Sequence, residues 1–118
     1  MIEKIVLDYL SESLTVPVYV EKPKNPKPSN NPLKFVVIEK TGSSSENHLY
    51  SSLIAVQSYA GSVLEAAELN CEIIEKMMDL VQLDEVTKVV LNSDYNFTDT
   101  STKQPRYQAV FDIYHYGG

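Results

Sequence analysis

The stretch from Ser62 to about Val81, SVLEAAELNCEIIEKMMDLV, limits what this chain can fold into more than any other part. At about 100° per residue it carries one apolar stripe of Val63, Ala67, Cys71, Ile74, Met78 and Val81. A second stripe of Ala66, Leu69, Ile73 and Leu80 lies beside it, and Met77 joins the two. Only the arc with Glu65, Glu68, Glu72, Glu75, Lys76 and Asp79 is built for water. The pattern predicts one long helix, opened by a capping box of Ser62 and Glu65. A helix apolar over more than half its girth needs two neighbours. One is expected to be a sheet, the other the first helix or a second subunit.

The segments around it read as one more helix and several strands. Ile2, Ile5, Val6, Tyr9 and Leu10 recur at helical spacing, which predicts a short amphipathic helix from Ile2 to about Ser13. Pro17 closes that region, because the residue before a proline is pushed out of helical geometry. Val18-Tyr19-Val20 is then a short strand. Residues 22–32 hold four of the chain's six prolines together with Lys22, Lys24 and Lys27. Proline supplies no ladder donor, so this is an extended connector or a projecting arm that touches a partner. Phe35 to Thr41 is an apolar, β-branched strand, with Gly42 to Asn47 expected as the turn that follows it. Leu49 to Ala60 makes the second strand of an antiparallel hairpin, since the link is too short for a crossover. Beyond the long helix, Val86 to about Leu91 is a strand, residues 93–104 a polar link containing Tyr95 and Phe97, and Arg106 to Tyr116 a cleanly alternating strand. The order α-β-β-β-α-β-β predicts a single α+β domain over residues 1–118, with a mostly antiparallel sheet and its helices on one face.

Chemistry is sparse along this frame. His48 and His115 are far apart and in no metal-ligand spacing, and Cys71 has no second cysteine to pair with. His115 is expected as a partly exposed sheet residue and Cys71 as a small core residue on the helix. No glycine-rich phosphate loop and no GxSxG elbow is present. No cofactor, metal or catalytic residue is therefore expected. A formal charge of −6 disfavours adhesion to nucleic acid or an anionic membrane. The opening MIEKIVLDYL carries Glu3 and lacks a long apolar core, so a cytoplasmic-type soluble domain is expected rather than a secreted or membrane one. Eight tyrosines without a tryptophan point to core and interface packing, because few basic residues accompany them as base stacking would require.

Two runs resemble a known family. VQSYAGSVLEAAELNCEIIEKM, residues 56–77, resembles the strand–helix junction of small tail proteins of long-tailed bacteriophages. KQPRYQAVF, residues 103–111, looks like their closing strand, and the early helix, proline-containing connector and FVVIEKTG strand stand in the same order. The group is the tail terminator family, also called tail completion or head–tail joining proteins, similar to the phage lambda terminator. The resemblance implies a non-catalytic α+β subunit of a hexameric ring in the virion, assembled in the host cytoplasm. That ring caps the head-proximal end of the tail tube, stops its polymerisation and joins a head-side neck or connector protein, with DNA passing through unbound. A ring needs two different self-contact surfaces, and the stripe of Ala66, Leu69, Ile73 and Leu80 is the candidate for one. Lys22, Lys24, Lys27, Tyr95, Phe97 and Arg106 are the candidate contacts to tube or neck. Two other readings stand beside it: a different small α+β protein-binding module, and a small enzyme whose site, built from tyrosines, Arg106 and Asp112, forms between subunits.

Overall fold

A computed structural model describes residues 1–21 and 34–117. Helix α1 spans Ile2–Ser13 and strand β1 Val18–Tyr19. Strands β2 (Phe35–Glu46) and β3 (Leu49–Tyr59) form a hairpin, followed by helix α2 (Val63–Met78). A 3-10 turn at Asp79–Gln82 leads into β4 (Val86–Asn96) and β5 (Arg106–Tyr116). The strands make one sheet in the order β1-β2-β3-β5-β4, antiparallel except for the short parallel pair of β1 with β2. This is the α+β architecture expected from the element order.

Both helices lie on one face. Ile2, Val6 and Leu10, spaced four apart on α1, join Val36, Ile38, Ile54, Val56, Ala109, Phe111 and Ile113 of the sheet in the main core. From α2 and its 3-10 extension the core takes Leu69, Ile73, Met77 and Leu80. Ser62 caps α2 as expected: its hydroxyl oxygen accepts from the Glu65 N–H at 3.2 Å and its O–H donates to the Glu65 carboxylate at 3.1 Å.

The structure reverses the roles expected of the two α2 stripes. Ala66, Leu69, Ile73 and Leu80, the candidate subunit contacts, are 0–2 % exposed and face the sheet of their own chain. Their side chains are already spent on the monomer's core and cannot meet a neighbour. The other stripe is the outward one: Val63, Met78 and Val81 are each more than 40 % exposed. Cys71 lies on that stripe and is exposed, not a core residue. Periodicity could not choose between the stripes, but bulk distinguishes them: the outward one has small residues at Ala67 and Cys71 where the inward one has Leu69 and Ile73.

Two strands run further than expected. β2 continues through the serines of GSSSE to Glu46, and the chain reverses at Asn47 and His48, both with positive φ (53° and 68°). Such a two-residue turn matches the twist of the strands it joins, and asparagine tolerates that conformation well. Gly42 instead follows a register shift after Lys40. β4 likewise passes a shift between Leu91 and Ser93 and pairs with β5 as far as Asn96↔Tyr107. The polar link therefore shortens to 97–105. Pairing decided both ends, since each polar residue faced a strand long enough to receive it.

The reversal of the stripes is testable by denaturant unfolding. Ile73→Ala should cost about 2–5 kcal/mol, the range for emptying a packed core site. Met78→Ser, on the outward stripe, should stay within about 0.5 kcal/mol of the parent.

Candidate functional site

The sheet face turned away from the helices carries a continuous rail of rings and one cation. In sheet order it consists of Tyr19 on β1, Phe35 on β2, Tyr59 on β3, Arg106 on β5, Phe97 just past the end of β4, and Tyr95 on β4. The Tyr19 and Phe35 rings meet edge to face at 6.0 Å, and Phe35 stacks on Tyr59 at 4.5 Å. The Arg106 guanidinium lies 5.5 Å from the Tyr59 ring centre and 4.3 Å from that of Phe97. Phe97 meets Tyr95 edge to face at 5.6 Å. All five strands are thus crossed by direct contacts, each aromatic pair adding about 0.5–1.5 kcal/mol beyond area burial.

A second set of bonds ties the same residues together. Arg106 Nη1 donates to the Tyr59 hydroxyl (2.9 Å), and Tyr59 donates to Gln57 Oε1 (3.2 Å). Gln57 Nε2 donates to Gln108 Oε1 (2.9 Å), and Gln108 Nε2 donates to the Tyr95 hydroxyl oxygen. Every donor points the same way, from the cation on β5 to the phenol on β4. Chains aligned like this polarise one another, so each bond is stronger than it would be alone.

Arg106 is fixed from both ends. Its Nε donates to the Phe97 carbonyl at 2.8 Å, and Phe97 N–H donates to the Arg106 carbonyl at 2.7 Å. The 97–105 link is itself braced. Asn96 Oδ1 accepts from the Thr98 N–H (2.9 Å), and Asp99 accepts from both the hydroxyl and the N–H of Ser101 (2.7 and 2.8 Å). Those Ser101 bonds hold the Asp99 carboxyl below the usual carboxylate range. The link thus positions Phe97 as a rigid platform for Arg106.

Exposure divides the rail. Phe35 and Tyr59 are 1 % exposed, whereas Tyr19, Phe97 and Tyr95 are 37–41 % exposed. The middle is packed, and together with Val37 it forms a second small core. The accessible ends combine aromatic rings with an arginine, the composition enriched at protein–protein contacts. Of the residues named from sequence as partner contacts, Tyr95, Phe97 and Arg106 come together here, while Lys22, Lys24 and Lys27 lie outside the described residues. Asp112 does not join Arg106 within the chain; six residues further along β5, it stands about 20 Å away. Tyr59, Gln57, Gln108, Phe35 and Tyr19 were missed. Gln-x-Tyr at 57–59 and Arg-x-Gln at 106–108 carried a signal, because both place their polar groups on one face once the two strands are paired.

A second polar pair lies on the helix face. Ser52 Oγ is 2.7 Å from His115 Nε2, and the two residues are 1 % and 2 % exposed. The Tyr50 ring stacks on the imidazole at 5.7 Å. His115 is therefore not the partly exposed residue expected: on β5 it alternates with Ala109, Phe111 and Ile113 and shares their buried side. A serine–histidine contact resembles an activated nucleophile, but here no substrate carbonyl reaches a serine so enclosed. Burial holds His115 below its ordinary pKa, with Lys40 and the N-terminus adding to that shift and Glu3 and the Tyr116 backbone opposing it. Among the described residues no three of His, Cys, Asp and Glu are grouped to hold a metal ion. Nor is any described helix long and apolar enough to cross a membrane.

No protein-family model matches the chain, and no curated protein matches it in sequence.

The histidine predicts a pH dependence. Unfolding frees His115 to take a proton at its ordinary pKa of 6.5, which the folded protein resists. Its contribution to stability is complete above that pH and declines as pH falls below it. Unfolding curves of the parent and His115→Gln, compared between about pH 7 and pH 5, should show the parent losing more stability across that window.

Proposed function

We propose that this protein is a structural subunit of a long-tailed bacteriophage virion. In this reading it assembles as a ring on the head-proximal end of the tail tube, ends tube growth and provides the surface that joins the head. Its partners are further copies of itself, the tail tube protein and a head-side neck protein, and its chemistry is assembly rather than catalysis.

The observation that carries the reading is the convergence of Tyr95, Phe97 and Arg106 in one braced, half-exposed patch. Three residues picked out along the sequence as partner contacts share one end of one sheet face, held by the bonds just described. The family resemblance supplies the identity of the partners. The sheet's outline also suits a ring: its two edges, β1–β2 on one side and β4 on the other, differ in sequence and lie at opposite sides of the subunit. Unlike edges on opposite sides fit a head-to-tail contact, which closes into a ring when the rotation allows. With Ala66, Leu69, Ile73 and Leu80 committed to the core, self-contacts in this reading fall on those edges.

The decisive experiment is in a phage that carries the gene. Deletion should leave tails of abnormal length that fail to join heads; tails of normal length that join would remove the assignment. Arg106→Ala should keep the thermal unfolding profile of a folded protein while lowering the yield of joined particles at least about tenfold, the loss of one interface arginine anchor. Unchanged joining would separate the patch from the function.

A further inference from the structure

The outward face of α2 has an order that, among the described residues, the core draws on only at Ile74. Leu64, Ala67, Cys71, Ile74, Met78 and Val81 follow one another at alternating steps of three and four residues. The first five lie within α2, and Val81 lies in the 3-10 turn beyond it. That spacing is the a/d seam of a heptad, whose period of 3.5 keeps a stripe facing a second helix along its whole length. Leu64 is 71 % exposed, Val81 47 % and Met78 41 %. The core takes Leu69, Ile73, Met77 and Leu80 from the same helix, and of the seam only the half-buried Ile74 packs against it, so the exposed seam residues are additional to folding.

Shape and charge together specify the occupant. Ala67 and Cys71 make the middle of the seam narrow, while Leu64 at one end and Ile74 and Met78 at the other are bulky. A helix laid across it can approach closely at the centre and be gripped at its ends. Along one border run Glu68 and Glu75, with Glu65, Glu72 and Asp79 behind them, against the single cation Lys76. An antiparallel second copy of α2 would bring two such carboxylate rows together, and like charges flanking a seam oppose that pairing. Within the described residues α1 is already engaged, its Ile2, Val6 and Leu10 buried on the sheet.

We infer that the α2 seam is a docking site for an amphipathic helix of another protein, one that carries lysine or arginine beside its apolar stripe. This surface does not depend on the phage assignment; it stands or falls on the seam and its carboxylate border.

Two synthetic helices test it against the full chain. Both carry leucine at every a and d position; one has lysine at the flanking positions, the other glutamate. Fluorescence anisotropy should show binding of the lysine-flanked helix only, and the bound helix should slow maleimide labelling of Cys71. Leu64→Ser with Met78→Ser, at positions exposed in the folded chain, should weaken binding at least about tenfold. Glu68→Lys with Glu75→Lys should transfer the preference to the glutamate-flanked helix, an outcome that general attraction to an acidic protein does not produce. Circular dichroism confirms that each variant is folded. The inference is overturned by binding of neither helix, by equal binding of both, or by binding that ignores the seam variants. Efficient Cys71–Cys71 cross-linking of the free chain under mild oxidation would also overturn it, by making a second copy the occupant.

Discussion

The pairing of β3 with β5 is the interaction on which everything else rests. Eleven residues face eleven in unbroken register, from Leu49↔Tyr116 to Tyr59↔Arg106. The ladders on either side are interrupted, β2 against β3 after Lys40 and β4 against β5 near both Val86 and Leu91. A shift of one residue in the central pair would turn one strand over relative to the other, moving either Ile54 and Val56 or Phe111 and Ile113 out of the core. It would also separate Gln57 from Gln108 and Tyr59 from Arg106. The core and the rail are thus two readings of one register, and neither can be altered without the other.

The outer interruptions have their own use. A sheet with two open edges invites unwanted strand addition, and bulges twist an edge away from a flat template. The bulges fall on β2 and β4, the long outer strands, while the covered pair between them has none. Lys40, Lys88 and the serines of the hairpin add polarity along the same edges. A generic extended strand approaching these edges meets broken ladders.

Much of the fold was legible because its signals are local. The two helices, their faces of apolar residues, the Ser62 cap and the alternation of β5 are all written within a dozen residues of one another. What was not legible depended on pairs distant in sequence. The serines after Gly42 look like a turn until Tyr50, Ser51 and Ser52 are seen opposite them, and Ser93 to Asn96 look like a loop until β5 lies alongside. The choice between the α2 stripes failed for a different reason: both satisfy the helical period, and only the volume of the sheet's inner face selects the bulkier one. For His115 the alternation already indicated burial, and the usual exposure of a lone histidine near a strand end was the weaker guide. At the candidate site, Tyr95, Phe97 and Arg106 were identifiable as individuals, but their assembly through Tyr59, Gln57 and Gln108 requires the neighbour relation of β3 and β5.

The two outward surfaces differ in what binding would cost them. The rail is braced before any partner arrives. Arg106 is held by two rings, a hydroxyl and a backbone carbonyl, and Tyr95 receives its orientation from Gln108. Little side-chain freedom remains to be lost there, and pre-organisation of that kind favours a defined geometry over a range of partners. The α2 seam is the opposite case. Leu64 and Met78 are exposed apolar groups, and ordering such side chains against a partner costs about 0.5–1.5 kcal/mol each before burial returns more. Its carboxylate border acts at longer range and is screened by salt, so it governs encounter and choice of partner more than final affinity. One face of this small domain is thereby suited to fixing a geometry and the other to selecting a neighbour by charge, a division set by which groups the central register holds still.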